Sequence, residues 1–89
     1  MMPSAQKARR MGVLEGTERV RWYNPKLEDF EWKETPESDE EALSLLEGSP
    51  YTPICTETYR EWRGLGSSIE VALIRAGEAA KTREERAGT

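Results

Sequence analysis

The sequence predicts a small α+β domain in which an N-terminal two-stranded antiparallel hairpin packs on about three helices. Residues 18–24 and 28–34 alternate between apolar and polar side chains, which is typical of half-buried strands. Helix-start patterns then recur twice before apolar runs with helical spacing. The last two helices flank a glycine-containing break at residues 64–67, so we expect a helix-turn-helix-like arrangement for them.

The chain divides into three parts by composition. With 89 residues it fits one domain. Residues 1–16 include Gly12 and Gly16 and have no sustained hydrophobic period, so we expect a flexible basic arm. The domain itself is predicted to cover residues 17–84, and residues 85–89 are predicted to form a frayed tail.

The register of the hairpin is predicted from the side chains that share a face. Val20 and Trp22 point to one side of the first strand, and Phe30 and Trp32 point to one side of the second. If these faces coincide, Trp22 lies opposite Phe30 and Val20 opposite Trp32, with a three-residue loop at 25–27. On the other face the predicted pairs are Arg21 with Glu31 and Tyr23 with Asp29.

The first helix is predicted from a capping box. Pro36 ends the preceding strand, and Ser38 with Glu41 has the spacing in which each side chain caps the other's backbone. The acidic residues of this first turn are stabilised there by the helix dipole. The helix ends at Gly48-Ser49-Pro50, and its predicted buried residues are Ala42, Leu43, Leu45 and Leu46.

The second helix is predicted to begin with Thr52 as its N-cap, followed by Pro53 in the first turn. Cys55, Tyr59 and Trp62 then share one face, and Gly64 is the expected residue of positive φ after the helix. Residues 51–56 also suit a strand, in which case the helix would shrink to residues 57–63.

The third helix is predicted to begin at Ser67, with Glu70 completing a second capping box. Basic residues near the C-terminus of this helix are stabilised by the negative end of the helix dipole. The apolar stripe with helical spacing consists of Ile69, Ala72, Leu73, Ala76 and Ala80.

The net charge of −4 is unevenly distributed along the chain. Residues 27–50 hold nine acidic groups and one basic group, whereas residues 1–26 hold six basic and two acidic groups. This acidic block disfavours binding of nucleic acid over the whole surface, although a local basic patch remains able to bind.

The residue types present argue against enzymatic chemistry. The chain has no His and one Cys, which excludes an imidazole base and an intramolecular disulfide. Cys55 shares a helix face with aromatic residues and is expected to be a small core residue. Gly64-Leu65-Gly66 lacks the further residues of a phosphate-binding loop. We therefore expect a non-enzymatic protein with no catalytic residues, no metal and no cofactor.

Hydropathy predicts no association with membranes. No run approaches the roughly 18 apolar residues that span a bilayer, and the basic N-terminus lacks the apolar stretch of a signal peptide. A single cysteine also fits a reducing compartment. We expect a cytoplasmic protein.

Protein binding is the leading functional hypothesis. Trp, Tyr and Arg are enriched in interface hot spots, and a chain with three Trp and a small core is expected to keep some aromatic surface. We predict a regulatory or interaction module, oligomeric or bound to a protein partner. Its candidate partner-binding residues are Trp32, Tyr59, Arg60, Trp62 and Arg63.

The alternative hypothesis is a DNA-binding regulator. It would use the helix pair at residues 53–84 together with the basic arm. Glu70 near the start of the second of these helices would repel phosphate, and Arg21 is equally explained by a salt-bridged sheet face. The candidate nucleic-acid-binding residues are Arg9, Arg10, Arg19, Arg21, Tyr23 and Arg75.

Overall fold

The computed structural model describes residues 18–87 and shows the predicted α+β architecture, a hairpin followed by three helices. Residues 1–17, which include the predicted basic arm, and residues 88–89 lie outside the described part. The elements are β1 (Arg19–Asn24), β2 (Asp29–Glu34), α1 (Asp39–Leu45), α2 (Thr52–Gly64) and α3 (Ile69–Ala87).

The hairpin register is shifted by one residue from the prediction, which was wrong. Trp22 lies opposite Glu31, and Tyr23 lies opposite Phe30. The turn has four residues, because the Asn24 carbonyl accepts hydrogen bonds from the N–H groups two and three positions beyond Pro25. Glu28 closes this turn with a φ of 56°.

The one-residue shift moves Phe30 and Trp32 to the face opposite Val20 and Trp22. The predicted pairs Arg21 with Glu31 and Tyr23 with Asp29 therefore do not form. Instead, the Glu31 carboxylate accepts hydrogen bonds from Trp22 Nε1 at 3.1 Å and from Asn24 Nδ2 at 2.8 Å. Arg21 lies opposite Trp32.

Helix α1 has the predicted N-cap. The Ser38 hydroxyl accepts from the Glu41 N–H at 3.2 Å, while the Glu41 carboxylate accepts from the Glu37 N–H at 2.9 Å. The Glu41 side chain thus caps the N–H of Glu37, whereas the capping box predicts the N–H of Ser38. On the buried side of this segment, Ala42 and Leu46 are fully buried, whereas Leu43 and Leu45 are partly buried.

Helix α2 begins one residue earlier than its predicted cap allows. Tyr51 is the N-cap, and Thr52 is already helical, so residues 51–56 do not form a strand. The Thr52 hydroxyl accepts from the Ser49 N–H at 3.1 Å and donates to the Leu46 carbonyl at 2.6 Å. This side chain joins α2 to the end of the α1 segment instead of capping its own helix.

Helix α2 ends in a Schellman motif whose positive-φ residue is Gly66, not Gly64 as predicted. Gly66 has a φ of 98°, and its N–H donates to the Arg63 carbonyl at 3.0 Å. The Ser67 N–H donates to the Trp62 carbonyl at 3.0 Å, which completes the motif. Gly64 remains inside the helix.

Helix α3 is capped by Ser68 rather than Ser67. The Ser68 hydroxyl accepts from the Val71 N–H at 3.2 Å, so Val71 holds the position in which a capping box requires an acidic side chain, and Glu70 does not. The predicted apolar stripe is confirmed, and Gly77 is buried with it. The helix-turn-helix-like arrangement of α2 and α3 stays a prediction.

The core lies where α2 and α3 meet the inner face of β1. Helix α3 approaches β1 so closely that a Cβ atom on Gly77 would lie 2.5 Å from the Tyr23 carbonyl oxygen. One edge of the hairpin is therefore covered by a helix, whereas among residues 18–87 no further strand lies beside β2, which is exposed along most of its length. The fully buried core residues are Val20, Trp22, Ala42, Leu46, Cys55, Tyr59, Ala72, Leu73, Ala76 and Ala80.

Candidate functional site

The outward-pointing face of the hairpin presents two exposed aromatic side chains. We define this outer face by the side chains of Arg19, Arg21, Phe30 and Trp32, which the register places on one side of the sheet. The indole of Trp32 is 64% exposed, and the ring of Phe30 is 38% exposed. The helices pack on the opposite face of β1, where Val20 and Trp22 are fully buried, and these two rings stay partly exposed.

The Phe30 ring of this face is held by two neighbouring side chains. The Arg21 guanidinium lies over the Phe30 ring, 4.3 Å from its centroid, and the Tyr23 ring meets the same ring edge-on at 5.4 Å. A guanidinium in this position is attracted by the ring quadrupole. The contacts leave Trp32 as the side chain of this face with the most accessible apolar surface.

A groove of about 700 Å³ extends from Trp32 towards α1. One wall is the Glu34 end of β2, and the other is the exposed side of α1 with the segment before it. The groove carries both charges, since Arg19 and Lys33 lie on one side and Glu37 and Glu41 on the other. An open groove with both charges suits a polypeptide segment better than a small molecule, because small-molecule sites are enclosed and mostly apolar.

The other four predicted partner-binding residues lie on α2, away from the strand that carries Trp32. The Tyr59 side chain is buried, so its ring is not available to a partner. Arg63 donates through Nε to Asp39 Oδ1 at 2.7 Å and through Nη1 to the Ser67 carbonyl at 2.8 Å. Trp62 is half-buried with the Arg75 guanidinium 4.9 Å from its ring centroid, and Arg60 is exposed.

Asp39 joins α1 to α2 through a shared carboxylate oxygen. The Tyr59 hydroxyl also donates to its Oδ1, at 2.7 Å. The hydrogen bond from Arg63, followed by the one from Tyr59, lowers the pKa of the Asp39 carboxyl. Burial and then this carboxylate raise the pKa of Tyr59. Two of the predicted partner-binding residues thus have a structural role.

The Asp39 contacts predict a loss of stability in acid. The folded-state pKa of Asp39 lies below its unfolded value of about 3.9, so the stabilisation is present above that pH and is lost as the pH falls through the folded pKa. We expect Asp39→Asn to be less stable than the native protein at neutral pH, with the difference narrowing at acid pH, below the unfolded-state pKa of about 3.9. Urea unfolding at both pH values measures this. Glu40→Gln, in the same helical turn, is the control, and an unchanged gap for Asp39→Asn would contradict the prediction.

The candidate nucleic-acid-binding residues are dispersed. Arg19 and Arg21 lie on the outer face, and Arg9 and Arg10 lie outside the described residues. Tyr23 is buried, so its ring is not free to stack a base. Burial, and then the hydrogen bond that its hydroxyl donates to Glu84, raises the pKa of Tyr23. Arg75, on α3, forms an ion pair with Glu78 at 2.9 Å.

Among the described residues there is neither an exposed thiol nor a cluster of metal-binding side chains. The Cys55 thiol is fully buried and donates to the Ala76 carbonyl, with an Sγ to oxygen distance of 3.4 Å. Burial raises the pKa of this thiol to about 11, so it is protonated at neutral pH and a poor nucleophile. Within residues 18–87 no group of three His, Cys, Asp or Glu side chains could hold a metal ion. No helix of this part is long and apolar enough to cross a membrane.

Phe30 and Leu27 are exposed apolar residues that were not predicted to belong to a site. Phe30 was predicted to lie opposite Trp22, inside the molecule. The signal that could have placed it is Asn24, whose Oδ1 accepts from the Lys26 N–H at 2.9 Å and starts the longer turn.

Comparison of the chain with protein-family models, with curated proteins and with solved structures found no significant match.

Proposed function

We propose that this protein is a small non-enzymatic interaction module that regulates a protein partner, or assembles with itself, through the outer face of its hairpin. The observation that carries the proposal is the exposed indole of Trp32, which shares a face with Phe30 and Arg21. Trp and Arg are enriched in interface hot spots, and such hot spots pair with apolar pockets on the partner.

The exposed indole offers enough surface to anchor an interface. A Trp side chain buries roughly 150–250 Å², so covering the exposed part of Trp32 removes on the order of 100–150 Å² from water. At about 25 cal/mol per Å² this contributes roughly 3 kcal/mol to binding, before the cost of association. The groove beside Trp32 extends the same surface towards α1, where a partner's polar groups can meet Glu37 and Glu41.

Site-specific photo-crosslinking in cells of the source organism tests the proposal. A benzophenone amino acid is placed at position 32 in one variant and at position 65 in another. Leu65 is the matched control because it is also a large apolar residue and is 73% exposed, but it lies in the turn between α2 and α3. We expect protein adducts from position 32 well above those from position 65. Equal yields at both positions would overturn the proposal.

The same experiment tests the nucleic-acid alternative. The observation that favours the alternative is that Arg19 and Arg21 share a face with the exposed Trp32, a basic and aromatic pattern that suits stacking on single-stranded nucleic acid. Adducts at position 32 that disappear on nuclease treatment, and that form less readily as salt is raised, would support this alternative in place of protein binding.

A further inference from the structure

The backbone of β2 has its free hydrogen-bonding groups on the edge away from β1. The Thr35 N–H donates to the Glu18 carbonyl at 3.1 Å, so these two residues form a hydrogen-bonded pair that extends the ladder. In an antiparallel ladder such pairs alternate with pairs whose backbone groups point outward. Given the register, Phe30, Trp32 and Glu34 are the β2 residues whose N–H and C=O groups point to the open edge. The Phe30 N–H is held there by Asp29 Oδ1 at 2.7 Å.

We propose that a second copy of this chain binds at this edge, with β2 pairing antiparallel to β2 of the second copy about a two-fold axis at Trp32. This deepens the proposed function, on which it rests, by naming the partner. The product is a continuous four-stranded sheet in which the two hairpins lie side by side, with a β1 strand at each end. The outer faces of the two copies then form one aromatic surface.

Backbone chemistry limits the registers that this pairing can adopt. A residue whose backbone N–H and C=O groups point to the open edge must lie opposite a residue of the same kind in the other copy. The two-fold axis therefore passes through a residue and not between two residues. An axis at Glu31 sets two carboxylates opposite each other, and an axis at Lys33 does the same with two ammonium groups. Like charges directly opposite are destabilising.

An axis at Trp32 sets side chains of opposite charge across from each other instead. Glu31 of each copy then lies opposite Lys33 of the other, on the same face, and the two Trp32 side chains face each other on the outer face. Lys33 is available for this contact, since it makes no ion pair within residues 18–87. Phe30 of one copy lies opposite Glu34 of the other, where its carbonyl accepts from the Glu34 N–H while the Phe30 N–H stays with Asp29.

The shape of the edge leaves space for the second strand. The groove of about 700 Å³ borders β2 from Trp32 to Glu34, between this strand and α1. In the proposed register, Asp29 and Phe30 of the second copy run along this groove. The opposite edge of the hairpin has no such space, because α3 contacts β1 there through Gly77.

Disulfide trapping tests the register. In the Trp32→Cys variant the two thiols lie across a hydrogen-bonded pair, with Cα atoms about 5.5 Å apart, within the range for a disulfide. In Lys33→Cys they are diagonal to each other, roughly 8 Å apart, beyond that range. Cys55 does not compete because it is buried. We expect mild oxidation to crosslink the position-32 variant at least about tenfold faster. Equal rates, or faster crosslinking at position 33, would overturn the proposed register.

Light scattering on the native protein tests the dimer itself. We expect the mass of two chains at high micromolar concentration. Lys33→Glu sets Glu opposite Glu31 at two symmetry-related positions and should raise the dimer dissociation constant at least about tenfold. The control is Lys26→Glu, an exposed charge reversal in the turn, which should change the dissociation constant by less than about twofold. A native monomer overturns the dimer. If position 32 still captures a different protein in photo-crosslinking, the proposed function stands; if it captures nothing, both proposals fail.

Discussion

Replacing Trp22 with alanine should lower the free energy of unfolding by about 3–5 kcal/mol. The indole is only 1% exposed and is among the largest fully buried side chains of the domain. It lies on the inner face of β1, where α3 packs, and its Nε1 donates to Glu31. Truncation therefore leaves a cavity and removes a hydrogen bond. A domain of this kind has about 5–15 kcal/mol of stability in total, so most of it would be lost.

Urea unfolding at low protein concentration, followed by circular dichroism, measures the effect. Trp32→Ala is the matched control because it removes the same side chain from the same hairpin on the exposed face, and we expect a change within about 0.5 kcal/mol. If Trp22→Ala does not fold, Trp22→Phe still tests the site, since it keeps an aromatic ring but loses the donor to Glu31. Equal effects at positions 22 and 32 would mean that the faces of the hairpin are assigned incorrectly.

Gly77→Ala should have the second largest effect, a destabilisation of about 2 kcal/mol or more. A Cβ atom here would lie 2.5 Å from the Tyr23 carbonyl oxygen and 3.2 Å from the Tyr23 nitrogen, and backbone atoms cannot move aside by changing rotamer. Helix α3 must shift away from β1, at a cost that lies at or above the usual range of about 1–3 kcal/mol for overpacking. Alanine regains about 1 kcal/mol of helix propensity, which offsets part of this cost.

Gly64→Ala is the control for this prediction. Gly64 is also helical, but apart from its two chain neighbours and the backbone of its own helix, no atom of the described residues lies within 4 Å of the position that its Cβ would take. Helix propensity alone then operates, so we expect alanine to be neutral or to stabilise the protein by up to about 1 kcal/mol. Thermal unfolding of the two variants in parallel measures the difference. A stabilisation by both substitutions would show that α3 does not lie in close contact with β1.

The helices were largely predictable because their signals are local. Ser38 caps α1 as its spacing from Glu41 indicated, and the apolar stripe of α3 is buried as predicted. The errors at helix ends are one residue at the N-caps of α2 and α3 and two residues at the end of α2, where Tyr51, Ser68 and Gly66 replace Thr52, Ser67 and Gly64. Adjacent serines, or two nearby glycines, have almost equal local preferences. The tertiary position of the following helix decides between them.

The candidate site was predicted less well because it depends on the hairpin register. Trp32 was named as a partner-binding residue, but Phe30 was placed inside, and Arg21 was assigned to Glu31 instead of to the Phe30 ring. Tyr59 was predicted to share a face with Cys55, which the core confirms, yet it was also named as a binding residue although a buried ring is inaccessible. Sequence periodicity identifies a face but not what covers it.

Local patterns in the chain were enough to specify two strands, three helices and the apolar stripes that form the core. An error of one residue at a helix end leaves that stripe on nearly the same side, because a helix turns by only about 100° per residue. In a strand the side-chain period is two, so one additional turn residue after Asn24 reverses the face of every side chain in β2. The exposure of Phe30 and Trp32, and the choice of β2 as the edge that no helix covers, therefore follow from the packed turn and from the contact of α3 with β1.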